Sequence, residues 1–140
     1  MPAVSHHAAL IYVMVMVSAA DGEMTDPELA KIGEIVRFLP VFRDYDPGLL
    51  TRTTATCAEM LDSDDGLERI LTVIRASLPP PLRETAYALA CDVAAADGDP
   101  HPEVHRLLEL FRHRLEVDRL VAAAIERAAR ARFATAPHRP

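Results

Sequence analysis

The chain has 140 residues, half of them hydrophobic and 26% charged. That size and balance describe one globular domain with a sizeable core and exclude a disordered chain. A net charge of −6 argues against a nucleic-acid module, and two cysteines 34 positions apart make neither a disulfide framework nor a paired-cysteine metal site. They read as thiols of a reducing compartment. Aromatic residues are 5% of the chain and Trp is absent, so the core must be aliphatic and small.

Residues 1–7 read as a flexible lead-in. The apolar stretch Ala8–Ala20 is too short to span a bilayer, which needs about 20 residues. No Lys or Arg precedes it, and Asp21-Gly22-Glu23 follows, so a buried helix fits better than a signal segment. The Val and Met alternation over Val13–Val17 also suits a buried strand, but helical signals everywhere else decide for helix. Leu29, Ile32, Ile35, Val36 and Leu39 then share one helical face, with Lys31, Glu34 and Arg37 opposite, and Pro40 ends that segment. Leu49–Leu61 and Leu67–Leu78 form a second pair around the acidic break at residues 62–66. The Pro79-Pro80-Pro81 run reads as a stop before a helix over Leu82–Ala96. Val104–Leu115 and Val117–Phe133 complete about seven helices, and residues 134–140 read as a tail. The predicted fold is all-α, a single-domain bundle over residues 8–133.

Charge is unevenly distributed. Residues 1–103 hold 17 acids and 7 bases, whereas residues 104–140 hold 4 acids and 8 bases. The molecule is therefore electrically polarised, which steers charged partners.

The chain also repeats itself. Residues 17–23 (VSAADGE) align with residues 93–99 (VAAADGD), and with the second loop one residue shorter, Glu28 falls on Glu103, Lys31 on Arg106, Glu34 on Glu109 and Arg37 on Arg112. Two copies at this spacing suggest an internally duplicated helix-loop-helix unit rather than a solenoid.

The acids of these loops are the candidate site. Asp21, Glu23, Asp26 and Glu28 put four carboxylates in eight residues, and hard cations such as Ca²⁺ or Mg²⁺ need several oxygen ligands. The spacing is not that of an EF-hand. Local structure explains part of the pattern: Thr25-Asp26-Pro27-Glu28 is a capping box, with Pro27 tolerated in the first turn, and Gly22 serves as a left-handed C-cap. Asp21 and Glu23 are left over, because an acid at a helix C-terminus opposes the macrodipole. Such acids need a positive partner, which a metal, Lys31, Arg106 or a backbone N–H of the next helix can supply. In the second copy Asp99 can cap with Pro100 at N1, which leaves Glu103 less accounted for than Glu28. Asp92 lies inside the apolar Tyr87–Ala96 run, where a carboxylate is costly unless paired; an Arg of a neighbouring helix is the expected partner, ahead of a metal.

Other features are plainer. His101 and His105, four apart near a helix start, permit a transition-metal site, but the prolines at 100 and 102 make His101 a loop residue, and Asp62, Asp64 and Asp65 place Gly66 one position early for a calcium loop. Cys57 and Cys91 lie in apolar helical surroundings. No phosphate loop, nucleophile elbow or zinc-protease pattern occurs, so the chain reads as a non-enzyme.

The helix ending Ala-Ala-Asp-Gly-Glu, followed by Met-Thr-Asp-Pro-Glu-Leu and an amphipathic helix, resembles the tellurite-resistance TerB family. The second Ala-Ala-Asp-Gly, with Pro102-Glu103 and Leu107-Leu108-Glu109, is similar to that family's later half. The resemblance covers about residues 8–130. It implies an all-α fold and a bacterial stress-response protein, cytoplasmic or at the inner face of the membrane, acting with a membrane protein of the tellurite-resistance system. It implies further an acidic cluster holding a divalent cation, carried here by Asp21, Glu23, Glu28, Asp97, Asp99 and Glu103, with Asp92, Lys31 and Arg106 around it. The shortened Asp99-Pro100-His101-Pro102 loop departs from the first copy, so two identical sites are not expected. The alternative is a metal-independent helical adaptor whose polarised surface docks other proteins.

Overall fold

The computed structural model describes residues 3–20, 22, 24–98 and 101–137. Seven α-helices and no strand occur among them: α1 (His6–Ala19), α2 (Asp26–Phe38), α3 (Leu50–Leu61), α4 (Gly66–Ser77), α5 (Pro80–Ala96), α6 (Pro102–Arg114) and α7 (Arg119–Arg132). Short 3₁₀ turns at Pro40–Phe42 and Pro47–Leu49 bridge α2 to α3.

Helix α1 is the axis of the bundle. Every residue from Ala9 to Ser18 is buried. It rests most broadly on α5 and also touches α2, α3, α4 and α6, which is why its apolar residues point in all directions and the alternative of a strand over Val13–Val17 fails. Full burial of each large aliphatic side chain stabilises the fold by about 1.5–3 kcal/mol. Tyr87, Phe42, Phe111 and Leu10 are the largest side chains sealed in the same core.

Two boundaries differ from the sequence expectation. His6 and His7, expected in a flexible lead-in, form the first turn of α1, because Ser5 caps that turn by accepting from the Ala8 N–H. Helix α5 begins at Pro80 instead of Leu82. Pro80 and Pro81 occupy its first two positions, where a helix has no use for the missing N–H and benefits from the fixed φ.

Helix directions follow from a few contacts. The Val4 N–H donates to Ser77 Oγ at 2.9 Å, so the chain enters α1 beside the end of α4. Helix α5 starts three residues after Ser77. The packed pair α1 and α5 therefore start at one end of the bundle and run parallel. Tyr87 bonds to Glu126 and Asp92 pairs with Arg132, so α7 runs parallel to α5 as well. Helix α6 runs back along α5 in the opposite direction.

Candidate functional site

Because α1 and α5 are parallel, their C-termini share one end of the molecule, and α2 and α6 start from that end. Gly22 and Gly98, the glycines of the two Asp-Gly sequences, lie there. In the first, Gly22 sits at φ +143° and its N–H donates to the Ala19 carbonyl at 3.1 Å. In the second, Gly98 sits at φ +87° and its N–H donates to the Ala95 carbonyl at 3.2 Å. The two bonds join positions that the sequence alignment equates, and both glycines adopt a positive φ that side-chain-bearing residues avoid. This likeness is local to the turns.

The expected ligands fare unevenly. Asp21, Glu23 and Asp99 lie outside the described residues. Glu28 completes the capping box: its Oε1 accepts from the Thr25 N–H at 2.8 Å and from Thr25 Oγ1 at 2.9 Å, while the Glu28 N–H donates to Thr25 Oγ1. Asp97 is the C-cap of α5 and Glu103 stands in the first turn of α6. Among the described residues, no three His, Cys, Asp or Glu side chains come together as a group able to hold a metal. Carboxylate oxygens are the right donors for a hard cation, but Glu28, Asp97 and Glu103 do not complete such a set alone.

Backbone electrostatics at this end are mixed. Asp26, Glu28 and Glu103 lie in first turns, where the positive end of the helix dipole favours them. The start of α6 is a correction to the sequence reading. His101, not Asp99, is its N-cap, and Pro102 stands at the first position in place of Pro100. Glu103 thus falls one position short of the capping-box register that Glu28 occupies.

The residues expected around the acids have other engagements. Asp92 is paired with Arg132 of α7, the neighbouring-helix arginine that its apolar setting called for. The Lys31 ammonium lies over the Phe133 ring, 5.2 Å from its centre, tying α2 to the end of α7. Arg106 projects from an exposed position of α6.

Several side chains of consequence carried no sequence signal. Tyr87 donates to Glu126 Oε2 at 2.6 Å, and the bond joins residues 39 apart. Arg114 reaches Glu68 at 2.6 Å, and Arg75 bridges the Arg114 carbonyl and Glu116, fastening α6 to α4. The buried Ser18 hydroxyl has no hydrogen-bond partner among the described residues. Cys57 and Cys91 are buried free thiols, and burial pushes each up to about 12, far from the range of reactive thiolates. His101 and His105 belong to no metal-holding group among the described residues, and neither do Asp62, Asp64 and Asp65.

A family model described as "Tellurite resistance protein TerB" matches residues 7–126. No curated protein and no solved structure matches the chain. No helix among the described residues is long and apolar enough to cross a membrane.

Proposed function

The chain belongs to the TerB family, and from that premise we propose that it is a non-catalytic stress-response protein of the tellurite-resistance type that binds a divalent cation at the acidic end of its bundle. Asp21, Glu23, Asp97 and Asp99 would supply the carboxylates, with Glu28 and Glu103 at the helix starts beside them. The ion would be Ca²⁺ or Mg²⁺, whose preference for oxygen ligands suits this set. Its partners would be proteins, among them a membrane protein of the same resistance system, met at the inner face of the membrane.

One observation carries this reading: both Asp-Gly turns leave the bundle at the same end, each through a positive-φ glycine with the same hydrogen bond.

A second reading, a metal-independent adaptor, is favoured by Glu28, whose Oε1 is already taken up by Thr25. Calcium and magnesium titrations of the ¹⁵N-labelled protein separate the two. Cation binding predicts saturable shifts at Gly22 and Gly98 that Asp21→Asn with Asp97→Asn abolishes. The adaptor predicts no saturable shift there, and equal melting losses for the double variant with and without the ion.

A further inference from the structure

Helices α6 and α7 are consecutive, yet both pack on α5 more than on each other. The gap they leave is a groove of about 730 Å³, within the range of small-molecule sites. Its floor is α5, from Tyr87 past Cys91 and Ala94 to Gly98. Leu108 on one wall and Ala122, Ala123 and Ala129 on the other continue the apolar lining. Charged groups edge it: Arg112 from α6, and Arg119 and Arg130 from α7, against Glu109 and Glu126.

The charge balance of that edge decides what fits. The Glu126 carboxylate accepts the Tyr87 hydroxyl. The ion pairs among the described residues engage Arg75, Arg114 and Arg132, leaving Arg112, Arg119 and Arg130 at the groove without a carboxylate partner. A short link, residues 115–118, joins α6 to α7, so Arg112 near the end of α6 and Arg119 at the start of α7 line the same end of the groove. The opposite end, at Gly98 and Phe133, has one arginine, Arg130, where the first has two.

We propose that this groove binds a long-chain carboxylate, its headgroup between Arg112 and Arg119 and its chain along the α5 floor and the alanine-lined α7 wall toward Phe133. Guanidinium forks suit a planar carboxylate, and the apolar lining suits a hydrocarbon chain. The headgroup end of the groove is the end away from Gly98, and the proposal does not depend on cation binding.

The test uses the full ¹⁵N-labelled chain and sodium dodecanoate below its micellar concentration, with dodecanol as the neutral probe of equal length. Expected are saturable shifts at Ala94, Arg119, Ala122 and Ala123, and binding of dodecanoate at least tenfold tighter than of dodecanol. Arg112→Gln with Arg119→Gln, at positions outside the core, should erase that preference while leaving dodecanol binding intact. Ala123→Trp, at an exposed wall position, should block both ligands without loss of helical circular dichroism. Absence of saturable shifts, shifts centred instead on the exposed Phe38 or Leu120, or a preference that survives the double arginine variant would each overturn the proposal.

Discussion

Asp92, on the otherwise apolar middle of α5, is held by the guanidinium of Arg132 near the end of α7, 40 residues further along the chain. The carboxylate side chain is 23% exposed and the guanidinium 51%, so the pair sits at the margin of the core. Half-exposed pairs are worth less than sealed ones, and Arg132→Ala is expected to cost about 1 kcal/mol. Asp92→Ala should cost less, because it leaves only a solvent-reaching arginine behind. A double-mutant cycle in urea reads the coupling directly; a coupling of zero would mean that the pair contributes nothing to the docking of α7.

That pair illustrates how far the sequence could be read. The apolar setting of Asp92 demanded a cationic partner, and an arginine of a neighbouring helix was the expected answer. Which arginine depended on α7 running parallel to α5, a tertiary fact. The seven helices were legible because α1 is apolar on every side, the amphipathic stripes are regular, and Thr25 with Glu28 spells a capping box. Proline was misread twice. Pro80 opens a helix where the sequence suggested a stop, and Pro102 takes the first position that the sequence offered to Pro100, since the same missing N–H ends a helix interior and suits a first turn. The groove between α6 and α7 had no signature at all, because it arises from two helices choosing the same neighbour.

Gly66 is fixed by space. A methyl group there would lie 2.2 Å from the Met60 carbonyl oxygen and 2.7 Å from that of Leu61. Asp65, just before it, already adopts φ +56° to bring the chain back onto α3. Gly66→Ala should destabilise by about 3 kcal/mol, the upper range for overpacking, as measured by chemical denaturation. A loss below about 1 kcal/mol would show that the α3–α4 turn yields easily.

Ser18 is 1% exposed, and its hydroxyl bonds to nothing among the described residues. A buried polar group without a partner loses its hydration and gains nothing in return. Ser18→Ala is therefore expected to raise stability by about 1 kcal/mol, and the melting temperature by about 3 °C. A clear loss of stability would instead reveal a hydrogen bond to a group outside the described residues.

The two thiols make a kinetic prediction. Burial raises both to about 12 against an ordinary 9.0. At pH 8.5 the native protein should react with iodoacetamide on the order of a thousandfold more slowly than a free thiol, because only the thiolate attacks. The thiols ionise earlier in the unfolded chain, so their contribution to stability is present below pH 9 and is lost as pH rises toward 12. Rapid labelling of Cys91 alone at pH 8.5 would show that the groove it floors opens to solvent.

His7 gives the acid side of the pH profile. Its ring lies against Phe42 and Tyr45, with centroids 5.9 and 5.3 Å away. Burial and the adjacent His6 lower its pKa below 6.5, against the opposing pull of the Val41 backbone and Asp44. The unfolded chain therefore takes up a proton at higher pH than the native one does. The contribution is intact above pH 6.5 and is lost as pH falls toward the lowered native value. His7→Gln removes the titrating group, so acidification from pH 7.5 to 5.5 should cost the variant less stability than it costs the parent. Thermal melts of both proteins across that interval measure the difference. Parallel profiles would mean that the imidazole is as well hydrated in the folded chain as in the unfolded one.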